Sequence, residues 1–341
     1  MIGLLKIRRI VSSRGVVSQK FIVPPIMLFL VLSIALSVLL LLNFRLFPRY
    51  AVNTFQAIVF NYPVCFLTGL LLLPAGQSFS VDLAQTWTWL ALGLGVGFIL
   101  TFLLSGASTQ RMGITATSLA NNLSLVIPVC FSLFVFNAGT KAGGGFDGFN
   151  YFGLALAVVA VGLSTYRKGE GNKRNESPVI AQPPIARRLG ANVLLPVAVF
   201  LFYGATNTMI NYMNLRYIPS ADKTVQVTLT MVVGAILAGL LMLTVRLVQG
   251  KETFQPRSLI GAVTLGVPNF LSFYTLLRAL SAFGGNGAFV YPLYNIGVIL
   301  LAALTAGLFF RERLSTANKI GLALAVLAIG LISWQELAGN R

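Results

Sequence analysis

Long apolar runs, separated by short polar breaks, fill almost the whole chain. Ten of them reach the roughly 20 residues that a helix needs to cross a bilayer: 24–43, 54–74, 87–109, 113–137, 149–166, 190–211, 224–245, 258–277, 285–310 and 316–335. Each predicts a membrane helix. The longest well-marked break is 167–189, RKGEGNKRNESPVIAQPPIARRL, whose Gly, Asn and Pro pair predict a flexible linker. It leaves five predicted helices in 24–166 and five in 190–335. Residues 1–23 form a basic tail. The run behind it is too long, and too poor in small residues at its end, for a cleaved signal, so 24–43 is predicted as a retained span. Met27 is an alternative start.

The two groups of five resemble each other. GLALAVVAVGL at 153–163 returns as GLALAVLAIGL at 321–331, with nine of eleven letters identical. Thr54–Gln56 (TFQ) returns as Thr224–Gln226 (TVQ), and Gly69–Leu71 as Gly239–Leu241, each 170 positions on. LGVGFILTF at 94–102 matches LGVPNFLSF at 265–273, and Gly113 matches Gly284, both at an offset of 171. A repeat of five spans is odd-numbered, so its two copies must enter the membrane in opposite directions. The expected fold is therefore an all-α integral membrane protein of ten transmembrane helices, arranged as two inverted five-helix repeats. In such proteins the binding site is expected near the midplane, between the halves.

Composition agrees. Hydrophobic residues make up 56% of the chain, charged residues 10%, and mean hydropathy is +0.83; a soluble domain carries about 25% charge. The net charge of +17 raises the question of nucleic acid. The basic residues lie at span ends and in loops, with no basic face interleaved with aromatics, which argues against a nucleic-acid partner. They are of the kind that orients membrane proteins. In a ten-span arrangement, 15 of the 25 Lys and Arg fall on the side of the linker and 10 on the side of both termini. The positive-inside tendency then favours a cytoplasmic linker. Cys65 and Cys130 both fall inside spans and read as small packing residues.

The chain has no histidine, and its acidic residues (Asp82, Asp147, Glu170, Glu176, Asp222, Glu252, Glu312 and Glu336) all lie outside the middles of the spans. Acid/base or metal chemistry has no constellation to use, so no enzyme, cofactor or metal is expected. Proton-coupled export of cations lacks the titratable group and counter-charge it needs at membrane depth. An anionic solute would need Arg278 to face a cavity, whereas a snorkelling role at a span end suits that residue better.

Candidate binding groups are the polar residues inside the spans, because each needs a partner or a wet cavity there. Asn61, Tyr62 and Pro63 stand where the other half has the nearly apolar TMVV of 230–233. Asn121, Asn122 and Ser124 precede Pro128. Tyr291, Pro292, Tyr294 and Asn295 occupy the corresponding stretch of the second half. Pro268 with Asn269, and Tyr203, Asn207 and Asn211, come next, the last two sharing a helix face. Pro63, Pro128, Pro268 and Pro292 are the expected bending points, since proline frees a carbonyl one turn back. The plainer reading of these residues is interhelical packing.

GLFFRERLSTANKIGLALAVLAIGL at 307–331 resembles a pattern of the drug/metabolite transporter superfamily, in its EamA-type members, at Glu312, Leu314, Ser315 and Gly321. GITATSLANNLSLVIPV at 113–129 is similar to that family's small-residue run ending in proline. The resemblance spans roughly 24–335. One departure is Lys141, which stands about where the first half should carry its own glutamate. The resemblance implies a ten-helix transporter of small metabolites, often an exporter, with cytoplasmic termini, which is opposite to the charge tally. The expectation is alternating-access transport of a small neutral or zwitterionic metabolite in a bacterial inner (plasma) membrane, by a monomer or homodimer. Export of an organic anion or lipophilic drug is the alternative, and a structural or receptor-like role the non-transport one. Sodium-coupled transporters with five-plus-five repeats fit less well, because their first helix is Gly-rich and 24–43 has no glycine.

Overall fold

A computed structural model describes residues 25–73, 76–128, 131, 148–165, 191–217, 224–282, 287–312, 314–332 and 334. The tail 1–23, the linker 167–189 and Lys141 lie outside them. Among the described residues there are ten α-helices and no strand: α1 (Pro25–Leu46), α2 (Thr54–Leu71), α3 (Thr86–Met112), α4 (Ile114–Leu123), α5 (Gly148–Thr165), α6 (Ala191–Tyr217), α7 (Thr224–Val248), α8 (Arg257–Ala282), α9 (Gly287–Phe310) and α10 (Thr316–Ile332). Six of them, α1, α2, α3, α7, α8 and α9, contain stretches long and apolar enough to cross a membrane. The chain is thus an all-helical membrane protein of the multi-pass kind.

Helix ends follow local chemistry. Asn53 caps α2, its Oδ1 accepting from Gln56 N at 3.1 Å. Gly113, at φ +97°, separates α3 from α4. A side chain there would be strained by the backbone and would also collide with the Glu312 carboxylate. That carboxylate accepts from Ile114 N at 3.2 Å, so a residue of the α9–α10 loop caps the N-terminus of α4.

One expected span is corrected. The run 113–137 does not form one unbroken helix: α4 ends at Leu123, the backbone turns at 124–125, and helical residues resume at 126–128. Proline is the physical reason. Pro128 has no N–H to give the carbonyl of Ser124, and Ile127 N takes that carbonyl instead, at 3.0 Å.

In lipid there is little hydrophobic drive between helices, so association depends on close packing at small residues. The principal packing pairs are α2 with α8 and α3 with α7; α1 with α8 and α3 with α6; α1 with α9 and α4 with α6; and α2 with α7, α4 with α9 and α5 with α10. Exchanging each helix with the one five places along turns this set into itself. The glycines repeat the pattern in detail. A Cβ at Gly69 would strike Leu229 and Phe270, and one at Gly239 would strike Ile99 and meet Val59. A Cβ at Gly95 would strike the backbone of Met231 and Gly234, and one at Gly266 would strike Asn61 O and Val64. Each contact is the other's, moved by 170 or 171 positions. Direction follows from the same residues. Val59 lies against Gly239 and Gly69 against Leu229, so α2 and α7 run antiparallel. Gly153 meets Ala328 and Ile332, and Asn150 Nδ2 donates to Ile332 O at 2.6 Å, so α5 and α10 are antiparallel as well. The duplicated aliphatic run therefore packs against its own copy, in one cluster with Leu154, Ala157, Ala160, Ala325, Ala328 and Ile329.

The TxQ pair has a matching use. Gln56 Nε2 donates to Thr253 O at 2.6 Å and its Oε1 accepts from Gln255 N at 2.9 Å, tying α2 to the α7–α8 loop. Gln226 Nε2 donates to Ser80 O at 3.0 Å, tying α7 to the α2–α3 loop. Each half holds the other's loop. Glu252 strengthens the first tie, accepting from Asn53 Nδ2 and Gln56 Nε2 and pairing with Arg246 at 3.8 Å.

Candidate functional site

A polar cluster forms where helices of both halves meet. Tyr203, near the middle of α6, is linked to α3 by its hydroxyl, 3.2 Å from Ser105 Oγ. Ser105 Oγ also lies 3.4 Å from Asn121 Oδ1 on α4. Tyr294 on α9 shares a 2.7 Å hydrogen bond with Ser37 on α1. Tyr62 on α2 packs its ring against Phe102, with centroids 6.0 Å apart. Phe102 precedes Ser105 by three residues on α3, and Ser37 precedes Phe44, which meets Phe102, by seven on α1, so Tyr62, Tyr203 and Tyr294 border the same helix faces. The Tyr62 side chain is 2% exposed, and its hydroxyl has no hydrogen-bond partner. An unsatisfied buried hydroxyl costs about 1–3 kcal/mol, a penalty that a bound molecule would remove.

The other predicted residues divide. Asn61, fully buried, accepts from Asn269 Nδ2 at 2.9 Å and from Cys65 Sγ at 3.3 Å, and donates to Ile58 O. Asn61 and Asn269 are thus brought together, as a satisfied bridge between α2 and α8. Asn122 donates to Ser118 O and Ser124 to Asn121 O, at 2.8 and 2.5 Å, so both are spent on their own helix. Asn295 is 7% exposed and Asn207 half-buried. Tyr291 is half-buried, one residue before Pro292 in α9.

The prolines differ in what they free. Pro268 leaves the Thr264 carbonyl unpaired inside α8, and Asn43 Nδ2 on α1 donates to it at 3.2 Å. Pro63 and Pro292 sit within continuous helices, and Pro196, not among the expected bending points, lies inside α6. Sequence reasoning did not find Ser37, Ser105 or the role of Cys65, because a lone Ser or Cys in an apolar helix carries no pattern. Tyr203 was legible only as a secondary candidate.

The charged groups keep to the helix ends. Arg278 is exposed and lies over the Phe29 ring at 5.4 Å, and Arg246 lies over Phe55 at 4.1 Å. Arg45 donates to Gln110 O at 2.9 Å. Among the described residues, no group of three or more Cys, Asp or Glu is placed to hold a metal ion. The site can therefore offer hydroxyls, amides and aromatic faces.

No family model matches the chain. It is similar to an uncharacterised protein of Haemophilus influenzae, 26% identical over 303 residues that cover 87% of this chain and 93% of that protein. A solved structure, described as "Crystal structure of protein", superposes with a TM-score of 0.57 at 18% identity, over 93% of this chain and 98% of that one. The likeness to the solved structure extends to the fold alone.

Proposed function

We propose that the chain is a membrane transporter of a small neutral or zwitterionic metabolite, an exporter of the drug/metabolite transporter kind, working by alternating access. Ten spans cross the membrane in two inverted five-helix halves, the fourth span being α4 continued beyond its break. The antiparallel packing of α2 on α7 and of α5 on α10 supports the inversion, because each helix then opposes its own repeat partner. The observation that carries the functional reading is the polar cluster of Tyr62, Ser105, Asn121, Tyr203 and Tyr294, drawn from both halves and held inside apolar helices. A packing role would favour full pairing, as at Asn61, and Tyr62 is unpaired.

The break in α4 supports the same reading. Ten residues rise about 15 Å, half of the roughly 30 Å hydrocarbon thickness. Asn121 therefore sits near the midplane, where non-helical backbone is tolerated only if it is buried in protein or lines a cavity. The bacterial inner membrane is the proposed location.

The test is exchange of labelled neutral and zwitterionic metabolites into proteoliposomes preloaded with the same unlabelled mixture. Exchange above protein-free vesicles is expected, and Asn121→Leu should abolish it while the variant stays folded. Rates equal to those of empty vesicles would overturn the proposal.

A further inference from the structure

We infer that the cluster takes an uncharged, hydrogen-bonding solute and rejects zwitterions and ions, with Tyr62 Oη as the group that the ligand completes. The inference rests on the transporter reading and narrows its substrate class.

The Tyr62 hydroxyl is the unpartnered group of the cluster, on a side chain 2% exposed. Its ring packs on Phe102, and Cys65, three residues on along α2, has its thiol already used by Asn61 Oδ1 and Gly266 O. Tyr62 therefore has a donor to give and acceptor capacity left over. Ser105 can give its one proton to Asn121 Oδ1 while the Tyr203 hydroxyl donates to Ser105 Oγ, so that chain is already paired and Tyr62 is the group left over. A ligand that both donates and accepts would satisfy the Tyr62 hydroxyl. The flanking surfaces are aromatic, with Phe102 against Tyr62 and Phe44 edge-on to Phe102, and they suit an apolar face on the same molecule.

Charge is what the cluster cannot serve. The described carboxylates and guanidinium groups belong to loops and helix ends: Glu252 to the α7–α8 loop, Glu312 to the start of α4, and Arg278 to Phe29. A buried charge needs a partner of opposite sign. A zwitterion would need two. An uncharged polyol, amide or nucleoside-like solute meets none of these penalties.

The test is thermal unfolding of the purified full chain with six separate probes: uridine and myo-inositol as uncharged solutes, phenylalanine and glycine betaine as zwitterions, benzoate as an anion and tetramethylammonium as a cation. A specific ligand raises Tm. The expected result is a rise with at least one uncharged probe and none with the other four. Tyr62→Phe should weaken that probe roughly fivefold to tenfold. In the empty protein Tyr62→Phe should leave Tm unchanged or raise it, since the hydroxyl has no partner to lose. A fall in Tm of the empty variant would reveal a structural partner and overturn the inference. So would a set in which neither uncharged probe stabilises, or in which a charged probe does. The bound probe is then followed for exchange in proteoliposomes. Binding without exchange sinks the transporter reading alone, and exchange of a zwitterion but of no uncharged probe sinks the substrate class alone.

Discussion

Replacing Gly95 with alanine adds one carbon atom where α3 and α7 meet backbone to backbone. That carbon would collide with Met231 O and Ala235 N and lie 2.6 Å from the carbonyl carbon of Gly234, where ordinary contact needs 3.4–4 Å. All three obstacles are backbone, so no side chain can turn aside. The helices must part by about an ångström, and a gap of that size forfeits a quarter to a half of each dispersion contact along the seam. Overpacking of this kind costs about 1–3 kcal/mol, and with backbone as the obstacle the upper part of that range is expected. Gly93 is the control, because a Cβ there meets nothing within 4 Å. Alanine at Gly93 should gain about 0.5–1 kcal/mol of helix propensity. The assay is thermal unfolding in detergent of a chain without Cys130, read by a thiol-reactive dye that labels buried Cys65 only as the fold opens. Gly95→Ala should lower Tm by about 5 °C, with Gly93→Ala at or above the parent. Gly266→Ala, which would meet Asn61 O at 2.6 Å and Val64 Cβ at 2.7 Å, should fall in the same direction as Gly95→Ala. Equal Tm values for Gly95→Ala and Gly93→Ala would refute the close backbone approach.

Glu312→Gln keeps the shape of the α4 cap but removes its charge, and should cost about 1 kcal/mol, seen as a lower urea midpoint with an unchanged slope. The tie between α2 and the α7–α8 loop predicts coupling: in a double-mutant cycle Gln56→Ala and Glu252→Ala should be non-additive by about 0.5–3 kcal/mol, and strict additivity would mean that the 3.2 Å contact carries no energy. Orientation is read by single cysteines placed at positions 177 and 341 in a chain without Cys65 and Cys130, using an impermeant thiol reagent on intact cells. Labelling at 177 alone supports cytoplasmic termini, and labelling at 341 alone means that the loop charges set the topology.

Much of the helix plan was legible in the sequence, because in a membrane length and hydropathy are imposed from outside. Nine of the expected runs coincide with single helices to within a few residues. The duplicated strings, from GLALAV to TxQ, stand in the sequence before any contact is known. What the strings could not say is that each copy packs against the other, or that Gln56 and Gln226 reach across to the opposite half's loop. Those are relations between distant positions, and hydropathy is blind to them. The break in α4 was half-legible: Pro128 marked the place, but the turn sits at 124–125 because the freed carbonyl finds Ile127 N.

The polar residues divide for the same reason. Sequence can list Asn61, Asn121 and Tyr62 as costly in lipid, but it cannot say which of them meets a partner. Only the tertiary structure separates Asn61, satisfied by Asn269 across the α2–α8 seam, from Tyr62, whose hydroxyl meets no partner. Burial energy depends on the residue, which is written in the chain. Whether that energy is offset depends on a neighbour that can lie some 200 positions away, and folding alone brings the two into reach.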